Sequence, residues 1–204
     1  MRAPGRFSRL AVEHRSVAGL LCALALVAGV YMALTPPFEG PDSGAHYRYA
    51  LYLRAHPGRP PLDAATARVS HELILQPPLY YALAALATLP FDADVGGVSR
   101  LDPRNPHYPG LSHRATYTPP DVPGSAYAPA RVAAAVSLLG GLLAVAATWA
   151  WVRCMVPTHP RAATAVAAVV GLNPQFAFSS ATITNDAWAT GTCALALWAA
   201  AAAA

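Results

Sequence analysis

Residues 17–34, VAGLLCALALVAGVYMAL, contain no charge and no proline, and they are long enough to form most of a membrane-spanning helix. Several arginines precede them within residues 1–16, and a basic head before an apolar helix places the N-terminus in the cytoplasm. A cleaved signal peptide is the rival interpretation, but the stretch is long for one and lacks a clear cleavage motif. We therefore expect a retained first span.

Composition favours a membrane location for the whole chain. Hydrophobic residues make up 55% of the 204 residues and charged residues only 12%, whereas about 25% of the residues of a soluble domain are charged. The net charge of +4 is too small to indicate a nucleic-acid partner. Three cysteines, Cys22, Cys154 and Cys193, lie far apart and have neither metal-ligand nor disulfide spacing.

Further apolar stretches predict an all-α, multi-pass integral protein of the plasma membrane. Residues 132–152 are the second predicted span and residues 162–181 the third. The connector between them, 153–161, is short and basic, which suits the cytoplasm. A fourth stretch, 187–204, ends in alanines without a polar anchor, so we expect this chain to be an N-terminal fragment or a truncated product.

Residues 73–89 leave two topologies open. The segment is apolar, but prolines near its start and after its end shorten the part that can be one continuous helix. If it spans the membrane, the basic connector falls outside, against the positive-inside rule. We favour a helix in the interface, so that residues 35–130 form one external loop with short helices over about 43–55 and 73–89.

The polar run PPFEGPDSGAH, residues 36–46, follows the first span directly. Ionisable groups are costly next to hydrocarbon, so Glu39, Asp42 and His46 are candidates for a functional site at the membrane boundary. The alternative is that Asp42 only caps the following helix. That alternative explains Asp42 but leaves Glu39 and His46 without a role.

Two other polar groups have structural alternatives of similar weight. Gln76 precedes a proline pair and the tyrosines Tyr80 and Tyr81, which are candidate ligands for a sugar or a lipid phosphate but are also typical interface anchors. Arg131 begins the second span, where it either extends to the interface or binds an anionic lipid phosphate.

The end of the third predicted span is also polar. Pro174 follows Asn173 and is expected to kink or end a helix, because proline removes a backbone hydrogen bond. Asn185 and Asp186 lie where the span emerges, on the same side as Asp42 in the favoured topology. Asp186 either caps the next helix or shares a polar pocket with Asp42.

Taken in order, these segments resemble a known family. PFEGPD at 37–42, QPPLYY at 76–81 and NPQF at 173–176, leading to Asn185 and Asp186, are similar to the polytopic glycosyltransferases of the GT-C class. Within that class they resemble bacterial relatives of the protein O-mannosyltransferases and of the lipid A aminoarabinose transferase. The ordered set covers most of the chain, and the resemblance implies the start of a GT-C-like helical bundle.

The resemblance also implies an activity and its residues. A sugar would move from a polyprenyl-phosphate donor to an acceptor hydroxyl of a glycan, lipid or protein on the outer face of the membrane, with inversion. Asp42 matches the catalytic base, and Glu39 is a supporting acid. The expected substrate-binding residues are His46, Gln76, Tyr80, Tyr81, Arg131, Asn185 and Asp186.

Two further expectations complete this interpretation. No cofactor is expected, and a divalent metal is not indicated, because Ser43 follows Asp42 where the family often has a second acid. Family members also have more spans, so the fragment alone is expected to be inactive. The competing hypothesis is a non-enzymatic membrane anchor or assembly protein whose external loop binds a partner.

Overall fold

The structure, a computed structural model, describes residues 6–56, 58, 76–92 and 127–204, with side chains from residue 14 onward. This part of the chain is all-helical and has no strand. Its seven helices are α1 (Arg6–Leu34), α2 (Ser43–Ala55), α3 (Leu79–Ala87), α4 (Ala128–Met155), α5 (Pro160–Gly171), α6 (Pro174–Ser179) and α7 (Asp186–Ala203).

Two of these helices are long and apolar enough to cross a membrane. They are His14–Leu34, which is most of α1, and Ala128–Met155, which is α4. These two helices fit a membrane protein. Helix α7 has 18 residues, but polar side chains in its first half lower its mean hydropathy, and it is not among the two.

The third predicted span, 162–181, is not one continuous helix. Helix α5 ends at Gly171 and α6 begins at Pro174, because the proline has no amide hydrogen to continue the bonding of α5. The side chain of Asn173 caps α6 by accepting hydrogen bonds from the amides of Gln175 at 2.9 Å and Phe176 at 3.2 Å. The break predicted at Asn173 and Pro174 is thus present, and it divides the segment in two.

The segment predicted as an interfacial helix over 73–89 is helical only from Leu79 to Ala87. Residues 73–75 lie outside the described residues. Within the described part, the helix begins after Pro78 and has nine residues, about 13 Å of rise. Such a length is well short of the ~30 Å hydrocarbon core of a bilayer.

Helices α4 and α7 pack closely because small residues lie between them. A side-chain carbon on Gly140 would lie 2.6 Å from Cδ1 of Trp188, and one on Gly191 would lie 2.9 Å from the Gly140 carbonyl oxygen. The indole nitrogen of Trp188 donates to the carbonyl of Val136 at 2.7 Å. The start of α7 is therefore fixed against α4.

Helices α2 and α3 are joined by an aromatic cluster and one arginine. The rings of Tyr49 and Tyr81 stack with centroids 4.1 Å apart. Arg54, near the end of α2, donates to the carbonyls of Thr88 at 2.7 Å and Phe91 at 2.6 Å, beyond the end of α3. These contacts fix α3 against α2 and so position the polar residues at the start of both helices.

Candidate functional site

Asp42 lies in a left-handed turn directly before α2. Its φ of 54° and ψ of 7° are uncommon for a residue with a side chain, and its side chain makes no capping hydrogen bond. The backbone of the turn serves as the cap, because the Asp42 carbonyl accepts from the amides of Ala45 and His46 at 2.9 and 3.0 Å. The carboxylate is exposed and is not used to cap the helix.

The turn is held in place by buried neighbours on both sides of Asp42. Phe38, with φ of 73°, is 2% exposed and packs on Tyr47 at a ring distance of 5.3 Å. A side-chain carbon on Gly40 would lie 2.7 Å from Oγ of Ser43 and 2.8 Å from Cγ2 of Thr182. The loop after α1 is therefore packed against the segment before α7, and its shape requires glycine at position 40.

His46 is buried, unlike the acids and the arginine of the predicted set. It is 5% exposed, and its Nδ1 lies 2.8 Å from the hydroxyl oxygen of Tyr81. The Tyr81 hydroxyl donates in turn to Oε1 of Gln76 at 2.8 Å. The rings of His46 and Tyr81 are nearly parallel, 11° apart. Three predicted site residues thus form one hydrogen-bond chain that joins α2 to the start of α3.

The charges near His46 come from two other segments. Burial lowers the pKa of His46 from its ordinary value of 6.5, and the carboxylates of Asp186 and Asp42 act in the opposite direction. Burial also raises the pKa of Tyr81, with smaller contributions from neighbouring tyrosines and from Asp186. Asp42 and Asp186 therefore both lie near enough to His46 to act on its charge, although the chain separates them widely.

Asp186 is exposed and is the first residue of α7. A carboxylate is favoured there by the positive end of the helix dipole. Its amide donates to Oγ1 of Thr184 at 3.3 Å, and Ser137 of α4 donates to the Thr184 carbonyl at 2.9 Å. Asn185 is half-buried at the cap position, and its side chain makes no capping bond.

Arg131 contacts α1 rather than the acidic residues. Its side chain is exposed, and Nη1 donates to the carbonyl of Met32 at 2.7 Å, near the end of α1. Arg131 also lines a small cleft of about 20 Å³ between the loop after α1, the start of α4 and the segment before α7. Ser43 lines the same cleft, and its Oγ is buried without a hydrogen-bond partner among the described residues.

The other predicted residues do not join the His46 chain. The hydroxyl of Tyr80 is buried and donates to the carbonyl of Ala133 at 3.2 Å, a contact that holds α3 on α4. Glu39 is exposed in the turn before Asp42. Among the described residues, no group of three or more His, Cys, Asp or Glu side chains is arranged to hold a metal ion.

The structure thus brings together His46, Tyr81 and Gln76, with Asp42 and Asp186 near them. Sequence reasoning missed Ser43 as a site residue, since it considered this serine as the residue that follows Asp42 where the family often has a second acid. Its position between Asp42 and Gly44 was the one feature of the sequence that could have indicated a site residue. The burial of its hydroxyl, however, follows from packing against a distant segment. No protein-family model, no curated protein and no solved structure matches this chain.

Proposed function

We propose that this chain is the catalytic-loop region of a multi-pass membrane glycosyltransferase. It moves a sugar from a polyprenyl-phosphate donor to an acceptor hydroxyl at the outer face of the plasma membrane, with inversion at the anomeric carbon. The N-terminus is cytoplasmic, and the turn that carries Asp42 lies outside. The two candidate spanning helices and the resemblance of the three ordered motifs support this proposal.

One observation carries the proposal. The Asp42 carboxylate is exposed directly after the first apolar helix, while the backbone, and not this carboxylate, caps α2. A helix-capping aspartate would be explained by stability alone. An aspartate that is held in a left-handed turn without capping is better explained by a task for its carboxylate.

The chemistry assigned to this turn is an acid–base step. The Asp42 carboxylate takes the proton of the acceptor hydroxyl while the oxygen of that hydroxyl attacks the anomeric carbon of the donor. The bond from that carbon to the phosphate oxygen breaks, and its electron pair leaves with the phosphate. A phosphate needs no proton to depart, but cations stabilise its charge. Arg131 is a cation that lines the cleft beside the turn.

A non-catalytic anchor or assembly protein is the second candidate, and one observation favours it. The cleft has a volume of only about 20 Å³, room for roughly one water molecule, whereas small-molecule sites usually measure about 300 Å³ or more. Neither Glu39 nor Asp42 lines it. In that case the exposed acids of the turn bind a partner, and conservative replacement of Asp42 leaves function intact.

The two candidates are separated by a transfer assay on the protein expressed from its complete gene. Membrane vesicles are supplied with a radiolabelled sugar on polyprenyl phosphate, and label in lipid-free or lipid-linked acceptors is counted. The glycosyltransferase proposal expects transfer that depends on Asp42. Absence of transfer by well-expressed protein over a panel of donor sugars would favour the anchor.

A further inference from the structure

The direction of the Gln76–Tyr81–His46 hydrogen-bond chain determines which nitrogen of His46 carries a hydrogen. A tyrosine hydroxyl has one hydrogen, and that of Tyr81 is donated to Oε1 of Gln76 at 2.8 Å. The 2.8 Å contact between the Tyr81 oxygen and Nδ1 of His46 must then be donated by the imidazole. Neutral His46 therefore carries its hydrogen on Nδ1 and has a lone pair on Nε2.

The surroundings of His46 suit a group that gains and loses a proton. Tyr81 from α3 bonds the ring, and the carboxylates of Asp42, directly before α2, and of Asp186, at the start of α7, lie near enough to act on its charge. Burial favours the neutral imidazole, and the two carboxylates favour the imidazolium. Tyr81 fixes the ring in two ways, through the hydrogen bond and through the near-parallel contact between the two rings. A proton that arrives at Nε2 therefore does not require the ring to move.

We propose that His46 is the proton acceptor of the site, with Nε2 taking up the proton that Asp42 removes from the acceptor hydroxyl. This role rests on the proposed glycosyl transfer. The proton passes from the Asp42 carboxylic acid to Nε2, which restores the carboxylate and forms an imidazolium. Nδ1–H remains bonded to Tyr81, and Asp186 stabilises the positive charge. The imidazolium then releases the proton to solvent after the product leaves.

The tautomer is tested first, by nitrogen NMR of the protein in detergent micelles with ring-¹⁵N histidine. The His46 signals are assigned from their loss in His46→Gln. We expect the Nδ1–H form in the unsubstituted protein at a pH where the ring is neutral. Tyr81→Phe removes the acceptor of that hydrogen and should shift the equilibrium toward Nε2–H. Tyr47→Phe, which removes a hydroxyl from the same aromatic cluster, should leave the His46 signals in the Nδ1–H pattern.

An Nε2–H signal in the unsubstituted protein would overturn the proposal, because the chain would then run in the reverse direction from Gln76 to His46. An unchanged tautomer in Tyr81→Phe would overturn it as well. Both NMR results are independent of any enzymatic activity, so they test the tautomer even if the proposed function is wrong.

The proton-acceptor role is tested by the pH profile of sugar transfer. Unsubstituted protein should lose activity as the pH falls through the His46 pKa measured by NMR, because the imidazolium cannot accept a second proton. His46→Gln should transfer about 100-fold more slowly and should lack this acid limb. The same pH profile in His46→Gln would overturn the role. If the unsubstituted protein transfers no sugar, the glycosyltransferase proposal and the proton-acceptor role fail together, while the tautomer assignment stands on the NMR.

Discussion

Nδ1 of His46 and the hydroxyl oxygen of Tyr81 lie 2.8 Å apart, and this bond joins helices α2 and α3 across 35 positions of sequence. It places an ionisable ring among aromatic side chains, where only 5% of His46 is exposed. Stability must therefore depend on pH, because folding changes the proton affinity of this ring.

The sign of this dependence follows from the lowered pKa of folded His46. Burial is the largest cause, and it favours the neutral ring. Between the folded pKa and the ordinary value of 6.5, the unfolded chain binds more protons than the folded one. The free energy of unfolding should thus decrease as the pH falls below 6.5 and level off below the folded pKa.

Circular dichroism melts in detergent over this pH range measure the effect. His46→Gln should flatten the acid side of the curve, whereas His159→Gln, in the exposed connector between α4 and α5, should retain it. An equally steep curve in His46→Gln would show that another group dominates.

The contact between Gly140 and Trp188 predicts a strong effect of one methyl group. In Gly140→Ala the new carbon would lie 2.6 Å from Cδ1 and 2.8 Å from the backbone nitrogen of Trp188. The backbone cannot give way as a side chain can, so α7 must move away from α4. We expect a loss of about 2 kcal/mol in unfolding free energy.

Gly29→Ala is the matched control, because nothing lies within 4 Å of a carbon built on this glycine of α1. Unfolding of both variants is followed by titration from mild detergent into SDS. Equal stability of Gly140→Ala and Gly29→Ala would contradict the close packing of α4 and α7.

Two asparagines that precede helices predict opposite outcomes. Asn173 caps α6 through two amide hydrogen bonds, whereas Asn185 precedes α7 without a side-chain capping bond. Asn173→Ala should cost about 1 kcal/mol of unfolding free energy, and Asn185→Ala should cost clearly less. The same detergent-to-SDS titration measures both, and a larger loss for Asn185→Ala would contradict the capping assignment.

The proposed topology is tested by a single new thiol. The native Cys22, Cys154 and Cys193 are exposed in the structure and are replaced by serine first. Ala115→Cys, in the loop predicted to be external, should then react with a membrane-impermeant maleimide added to intact cells. Labelling that requires opening of the membrane would place this loop in the cytoplasm and overturn the sidedness.

Much of the order and extent of the helices could be predicted from local sequence. A helix over about 43–55 was predicted and matches α2, and the break before α6 was predicted from Pro174. Apolar composition alone gave the third predicted span as 162–181, whereas Pro174 indicated that a helix ends or bends within it. The two longest spans could be predicted, because length and mean hydropathy are both read from one continuous stretch of sequence.

The internal contacts of the site were not accessible, because they join distant parts of the chain. His46 meets Tyr81 only after α2 packs on α3, and Arg131 bonds the carbonyl of Met32 across 99 positions. The spacing of apolar residues along the sequence does not indicate which distant residues will contact each other. Likewise, the burial of Ser43 depends on the close approach of Thr182 to Gly40, two residues from distant parts of the chain.

The most direct test of the account is sugar transfer by Asp42→Asn in membrane vesicles, with protein expressed from the complete gene. Asp92→Asn, which removes another exposed carboxylate of the described residues, is the control. We predict that Asp42→Asn reaches the membrane at unchanged amounts and transfers at least about 100-fold more slowly, while Asp92→Asn retains its activity. Transfer by Asp42→Asn at the rate of the unsubstituted protein would contradict the assignment of Asp42 as the base.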